Sequence, residues 1–184
     1  TLPLKTLAMI PLKYYSGVFE LELSVGASPV HAVFDTGSEK LIVAGQACVK
    51  QAECSAGAGH YAGDGAKALG RSSTITYGTQ TDTVQWYVDE LRFRTRVPTK
   101  LLEIRETDEC RIDGLADAPE RELHVLAMEF GVVESRHGHS SLNVFGFCRG
   151  TNADCTSRAL LGERAVFAVL FYDKTGWLAL GAPT

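Results

Sequence analysis

The apolar residues of this chain recur mainly at every second position, which predicts short β-strands rather than helices. In residues 17–25, phenylalanine, leucine and valine alternate with glutamate and serine, a pattern typical of a half-buried strand. Glycine and proline mark a turn at 26–29, and an apolar strand at 30–34 then ends on Asp35. A further short strand is predicted at 41–43, so this part of the chain consists of three strands joined by turns.

The pattern beyond this point predicts β-hairpins. Residues 73–79 and 83–93 are predicted as the two arms of a hairpin with residues 77–81 at its tip. Gly78 supplies the conformational freedom that such a tight turn needs. Further strands are predicted at 123–130, 144–147, 166–172 and 177–180, the last two as a closing hairpin.

Three segments lack the two-residue period. Residues 46–70 are rich in glycine and alanine and are predicted as a surface loop, and residues 95–123 carry many charges and are predicted as a solvated strand or loop. Residues 154–161 favour one or two helical turns, with Asp154 or Thr156 as the N-cap. The predicted fold class is therefore all-β, with very little helix.

Length and composition limit the classes of function that this chain could have. The 184 residues are enough for one domain with a sizeable core, and the 45% hydrophobic content indicates an ordered globular protein. A formal net charge of −4, without runs of lysine and arginine, argues against nucleic-acid binding. The longest apolar run, residues 165–172, is too short to cross a bilayer, so no membrane span is expected. No basic and apolar leader is visible, and we expect any targeting segment to be absent from this chain.

The five cysteines leave three chemical alternatives open. They are Cys48, Cys54, Cys110, Cys148 and Cys155. A disulfide could close the short loop 48–54 or 148–155, whereas neither interval has the Cys-x₂-Cys spacing of a strong zinc site. We therefore favour two disulfides over free thiols or a metal site, and we expect neither a metal nor a cofactor. Disulfides would leave Cys110 unpaired and indicate an oxidising compartment, which is secreted, periplasmic, or lumenal or vesicular.

The stretch most indicative of chemistry is 32–38, Ala-Val-Phe-Asp-Thr-Gly-Ser. An apolar strand here delivers Asp35 into a turn of small residues. A carboxylate beside a hydrophobic strand is costly to bury unless it is paired or protonated, which favours a functional use. The alternative is a structural aspartate that caps a tight turn, because Asp-Thr-Gly is also good turn chemistry.

Several motifs, in order along the chain, resemble the N-terminal lobe of the pepsin family of aspartic proteases. Tyr15-x-Gly17 leads through Gly26 and Pro29 to the turn 35–38, as it does in that lobe. The other similar segments are the small disulfide loop 48–54, the substrate-covering flap 73–79, the strand 130–134, the apolar-apolar-glycine element 144–146 and the closing strands 167–181. The resemblance spans nearly the whole chain, with the charged segment 95–123 as an insertion.

The resemblance implies that residues 1–184 form one lobe of the pepsin-like acid-protease β-barrel fold, with the catalytic turn at 32–38 and the flap hairpin at 73–93. In such enzymes two aspartates share a proton and activate a water molecule, without a cofactor. The residues assigned by the resemblance are Asp35, Thr36 and Gly37 as catalytic, Ser38 as their support, and Tyr77, Gly78 and Thr79 as the substrate-binding flap. The implied activity is that of an aspartic endopeptidase on peptide or protein substrates, at acidic pH.

The chain departs from the family in carrying one Asp-Thr-Gly turn where pepsin-like enzymes carry two. The remaining aspartates lack a following Thr-Gly or Ser-Gly, and these are Asp64, Asp82, Asp89, Asp108, Asp113, Asp117, Asp154 and Asp173. A symmetric homodimer would supply a second Asp35, as it does in the retroviral proteases. Two alternatives are a lobe that pairs with a different second lobe and a non-catalytic peptide-binding or inhibitor module. Glu39, Lys40 and Ile42 favour the module, because the family usually has small polar residues and a tryptophan at these positions.

Overall fold

A computed structural model describes residues 4–63, 65–97, 115, 117–138, 142–148, 155–161 and 166–183. Within these ranges ten strands form one sheet. The strands are β1 (Leu4–Tyr15), β2 (Val18–Val25), β3 (Ser28–Asp35), β4 (Leu41–Ala44), β5 (Lys67–Tyr77), β6 (Gln80–Arg96), β7 (Glu120–His137), β8 (Asn143–Gly146), β9 (Val166–Tyr172) and β10 (Thr175–Pro183). Helix is limited in these ranges to α1 (Gln46–Lys50), α2 (Thr156–Leu161) and one 3₁₀ turn (Ala56–Ala58). The prediction of an all-β fold with very little helix is confirmed.

The sheet order is β5-β6-β7-β4-β8-β3-β2-β1-β10-β9, and β6 also pairs with β2 and β1. These additional pairings fold the sheet back on itself, because Leu23 of β2 lies opposite Phe93 of β6. Most neighbours are antiparallel, whereas β3 and β8 are parallel, as are β4 and β7. Strand β8 lies between β3 and β4, and this arrangement sets Asp35 at the end of β3 opposite Gly146 at the end of β8.

Two apolar clusters hold the region around Asp35. The larger cluster fills the folded sheet with alternating side chains from β2, β3, β6, β7 and β8, among them Leu21, Phe93 and Phe145. The smaller cluster packs Ile42 against Val84 and Trp86, beneath the hairpin formed by β5 and β6. Burial of these side chains supplies most of the driving force that fixes the strands in register.

The structure differs from the sequence-based boundaries in several places, among them strand β7, predicted at 123–130, and two further segments. Residues 46–70, predicted as a surface loop, contain α1 and the start of β5, because a five-residue helix is too short to show an apolar period. The charged segment 95–123 includes the ends of β6 and β7, where Arg96 lies opposite Glu120. Among its described residues, Glu120, Arg121 and Glu122 are exposed, on a strand pair that buries Thr95. Residues 98–114 and 116, like Asp154 in the predicted helical segment, lie outside the described residues.

Both predicted cysteine pairs lie at disulfide distance, so the prediction of two disulfides is confirmed. The Cα atoms of Cys48 and Cys54 are 5.2 Å apart, and those of Cys148 and Cys155 are 6.1 Å apart. Cys110 lies outside the described residues. Two disulfides fit an oxidising environment. Within the described ranges, neither helix has the length and apolar character needed to cross a bilayer.

Candidate functional site

Asp35 stands at the carboxyl end of β3, and the turn that follows supplies a hydrogen-bond donor to each of its carboxylate oxygens. The backbone N–H of Gly37 donates to Oδ1 over 2.8 Å, and the hydroxyl of Ser38 donates to Oδ2. The carboxylate is half-buried. These two hydrogen bonds fix the carboxylate in one orientation at the end of an apolar strand.

Strand β8 braces this turn from the other side. The N–H of Phe147 donates to the carbonyl oxygen of Asp35 over 2.7 Å, and the N–H of Gly146 donates to the carbonyl oxygen of Lys40 over 3.0 Å. A Cβ atom at Gly146 would lie 2.6 Å from both the backbone N and O of Lys40 and 2.8 Å from the backbone C of Ser38. Only glycine therefore lets β8 approach the turn that holds the carboxylate.

We expect Gly146→Ala to displace this turn, because the atoms that the new methyl group meets belong to the backbone. Overpacking of this kind costs about 1–3 kcal/mol of folding stability. Thermal unfolding measures this loss. Gly57→Ala is the control, because a Cβ there meets only the Ser55 hydroxyl at 3.4 Å, and an equal effect of both substitutions would contradict the close-approach argument.

The hairpin of β5 and β6 carries Tyr77 to the same place. Tyr77 and Gln80 pair across the turn formed by Gly78 and Thr79. Burial raises the pKa of Tyr77 to about 12, and the charges of Asp82 and Asp35 add to this. The side chain of Ser38, which lies beside the phenol, and the charge of Arg136 both lower the pKa of Tyr77. Tyr77 thus remains protonated at acidic and neutral pH.

The raised pKa predicts a pH dependence of stability in alkaline solution. The ordinary tyrosine pKa of 10.0 applies to the unfolded chain, whereas the folded pKa is about 12. Below about pH 10 the phenol is protonated in both states, and the stabilising contribution of Tyr77 is complete. Between pH 10 and about pH 12 the phenol ionises in the unfolded chain but not in the folded chain, so this contribution is lost as the pH rises. Urea unfolding at about pH 9 and about pH 11 should show a smaller loss of stability for Tyr77→Phe than for the wild type. Burial also raises the pKa of Tyr61, which affects both proteins alike, so equal losses would contradict the assigned environment of Tyr77.

Of the seven predicted site residues, the structure brings together the side chains of three, Asp35, Ser38 and Tyr77. Gly37 contributes its backbone N–H. The remaining three residues, Thr36, Gly78 and Thr79, are exposed on the turn and at the hairpin tip. The exposed predicted residues are thus neighbours in sequence of the fixed carboxylate and of the phenol.

Residues that follow the turn are held by other elements. The carbonyl oxygen of Glu39 accepts from the N–H of Thr156 over 2.9 Å and from its hydroxyl over 3.0 Å, which ties the turn to α2. The ammonium group of Lys40 lies 3.1 Å from Glu129, which also pairs with Arg71 over 2.6 Å. These two positions, unusual in sequence, therefore anchor the turn.

A buried ion pair beneath the hairpin was missed by sequence reasoning. Asp82 and Arg136 face each other across β6 and β7, with guanidinium–carboxylate distances of 2.9 and 2.8 Å. The exposed fractions are 0% for Asp82 and 3% for Arg136. A signal was present, because Asp82 occupies the same two-residue period as the buried Val84 and Trp86.

No second carboxylate bonds to Asp35 within the described part of the chain, where both donors come from its own turn. Asp82 pairs with Arg136, Asp89 accepts from Tyr61, and Asp117 and Asp173 lie in exposed turns. Among the described residues, no three histidine, cysteine, aspartate or glutamate side chains cluster closely enough to hold a metal ion. The site presents one carboxylate, oriented by a backbone N–H and a hydroxyl.

No protein-family model matches the chain. A search of curated proteins also found no match.

Proposed function

We propose that this chain is a pepsin-like lobe that supplies one half of an aspartic endopeptidase, and that a homodimer completes the active site. The observation that carries the proposal is that Tyr77, from a separate hairpin, lies beside Ser38, whose hydroxyl donates to Asp35. A structural aspartate that only capped its turn would not require a phenol from a separate hairpin. The paired strands β3 and β8 and the disulfide at Cys48 support the lobe assignment.

In the proposed dimer, a twofold axis brings together the carboxylates of the two copies of Asp35. Two carboxylates about 3 Å apart cannot both ionise easily, so they share one proton. The ionised member takes a proton from a water molecule as that water attacks the peptide carbonyl carbon. The protonated member donates a hydrogen bond to the carbonyl oxygen, where negative charge develops. Because each chain contributes one acid, a monomer lacks half of this chemistry.

The other site residues position the reactants. Gly37 and Ser38 hold each carboxylate in orientation, and Thr36, exposed on the turn, would bond the turn of the second chain. Tyr77 remains neutral and would cover the substrate with the exposed tip residues Gly78 and Thr79. The peptide would lie extended between turn and hairpin, with main-chain hydrogen bonds setting its register. A secreted or lumenal location accords with the two disulfides.

The test combines sizing at acidic and neutral pH with a peptidase assay and pepstatin, an inhibitor of aspartic proteases. We expect a dimer at acidic pH that cleaves peptides and is inhibited by pepstatin. An inactive monomer that gains activity only with a different lobe would favour a heterodimer. A monomer that binds peptides without cleaving them would favour a non-catalytic module and would overturn the proposal.

A further inference from the structure

The buried ion pair lies directly beneath the hairpin tip that carries Tyr77. Asp82 follows the turn by three residues and points inward, where Arg136 binds both of its carboxylate oxygens. The side-chain amide of Gln80 also donates to Asp82, over 2.9 Å, and Gln80 is only 4% exposed. Because Gln80 is the strand partner of Tyr77, this polar cluster connects to the tip within one residue pair.

The cluster is also tied to the disulfide loop. The backbone N–H of Arg136 donates to the carboxylate of Glu53 over 2.9 Å, and Glu53 is adjacent to Cys54. Gly138, two residues beyond, packs closely on the hairpin, because a Cβ there would lie 2.9 Å from the Cα of Gln80. From strand β7, Arg136 therefore contacts both the hairpin and the disulfide loop.

We propose that Arg136 is a positioning residue that holds the hairpin tip, and with it Tyr77, over Asp35. The inference extends the proposed function and depends on it only where the hairpin acts on a substrate. A buried ion pair contributes little net stability compared with apolar residues of similar size. Its role here is geometric: the two parallel bonds of a guanidinium fix the direction of Asp82, which a hydrophobic contact does not.

Replacing both Arg136 and Asp82 separates the effect of the ion pair on folding stability from its effect on the position of the hairpin tip. The double variant Arg136→Met with Asp82→Leu removes the ion pair without leaving a buried charge, and its melting temperature should stay within about 5 °C of the wild type. Amide hydrogen exchange of residues 77–83 in the free chain should nevertheless be at least about tenfold faster. The matched control is Arg96→Met with Glu120→Leu, which removes an exposed pair at the other end of the same two strands. Its exchange at the tip should not change.

Arg136→Lys adds a test of geometry, since it keeps the charge but loses the two-bond contact. In this variant the amide hydrogens of the hairpin tip should exchange at a rate between those of the wild type and the double variant. In peptidase assays the double variant should raise KM more than it lowers kcat, because the tip closes over the substrate. Unchanged exchange at the tip in the double variant would overturn the positioning role. Faster exchange in a chain that proves to have no peptidase activity would support that role while refuting the proposed function.

Discussion

Asp35→Asn is expected to lower peptide hydrolysis by at least about 10³-fold, because the substitution removes the general acid and base from both halves of the site. The fold should persist. The asparagine carbonyl can still accept from Gly37, and the Ser38 hydroxyl can rotate to accept from the asparagine amide, so the turn keeps its hydrogen bonds. The measurement is kcat/KM at acidic pH together with the melting temperature.

Asp173→Asn is the matched control for this substitution. Asp173 lies exposed in the turn between β9 and β10, where its positive φ of 46° is one that asparagine also accepts. Its activity should equal that of the wild type. Retained hydrolysis by Asp35→Asn would remove Asp35 from the mechanism and leave it a turn-capping residue.

Arg136→Met alone is expected to destabilise the fold by about 3–5 kcal/mol, the largest stability loss predicted here. The cause is the charge left behind: Asp82 would remain completely buried without the guanidinium that binds both of its oxygens. Urea unfolding at neutral pH measures the loss. Adding Asp82→Leu should restore most of the stability, because the unpaired charge is then gone.

Lys13→Met provides the comparison with an exposed pair. Lys13 and Glu22 are bound at 2.5 Å but have side chains that are 69% and 39% exposed. Solvent screens such a pair, so its loss should cost less than about 1 kcal/mol. If Arg136→Met and Lys13→Met cost the same, burial would not be what makes the Arg136 pair important.

Sequence reasoning located Asp35 and the all-β class because both depend on local signals. The two-residue period in β2 and β3 arises because one face of each strand is buried. The turn after Asp35 is indicated by consecutive small residues. The hairpin tip at Gly78 is equally local. These features can be predicted from the sequence because they do not depend on which strand is the neighbour in the sheet.

The bracing of the site depends on contacts distant in sequence. Arg136 meets Asp82 across 54 positions and Glu53 across 83, and nothing near either residue in sequence indicates the partner. The anchoring of Glu39 by Thr156 spans 117 positions. The alternation of buried residues along β6 indicates that Asp82 is buried. Only the register of β6 on β7 shows that Arg136 is its partner.

Mixing wild-type chains with Asp35→Asn chains tests most directly whether two copies of Asp35 form one site. With free exchange and a fourfold excess of the variant, about one fifth of wild-type chains remain in homodimers. At saturating substrate the activity per wild-type chain should therefore fall to about one fifth of its unmixed value. Activity that is unchanged by the excess variant would contradict the account, because the active site would then not need a second copy of this chain.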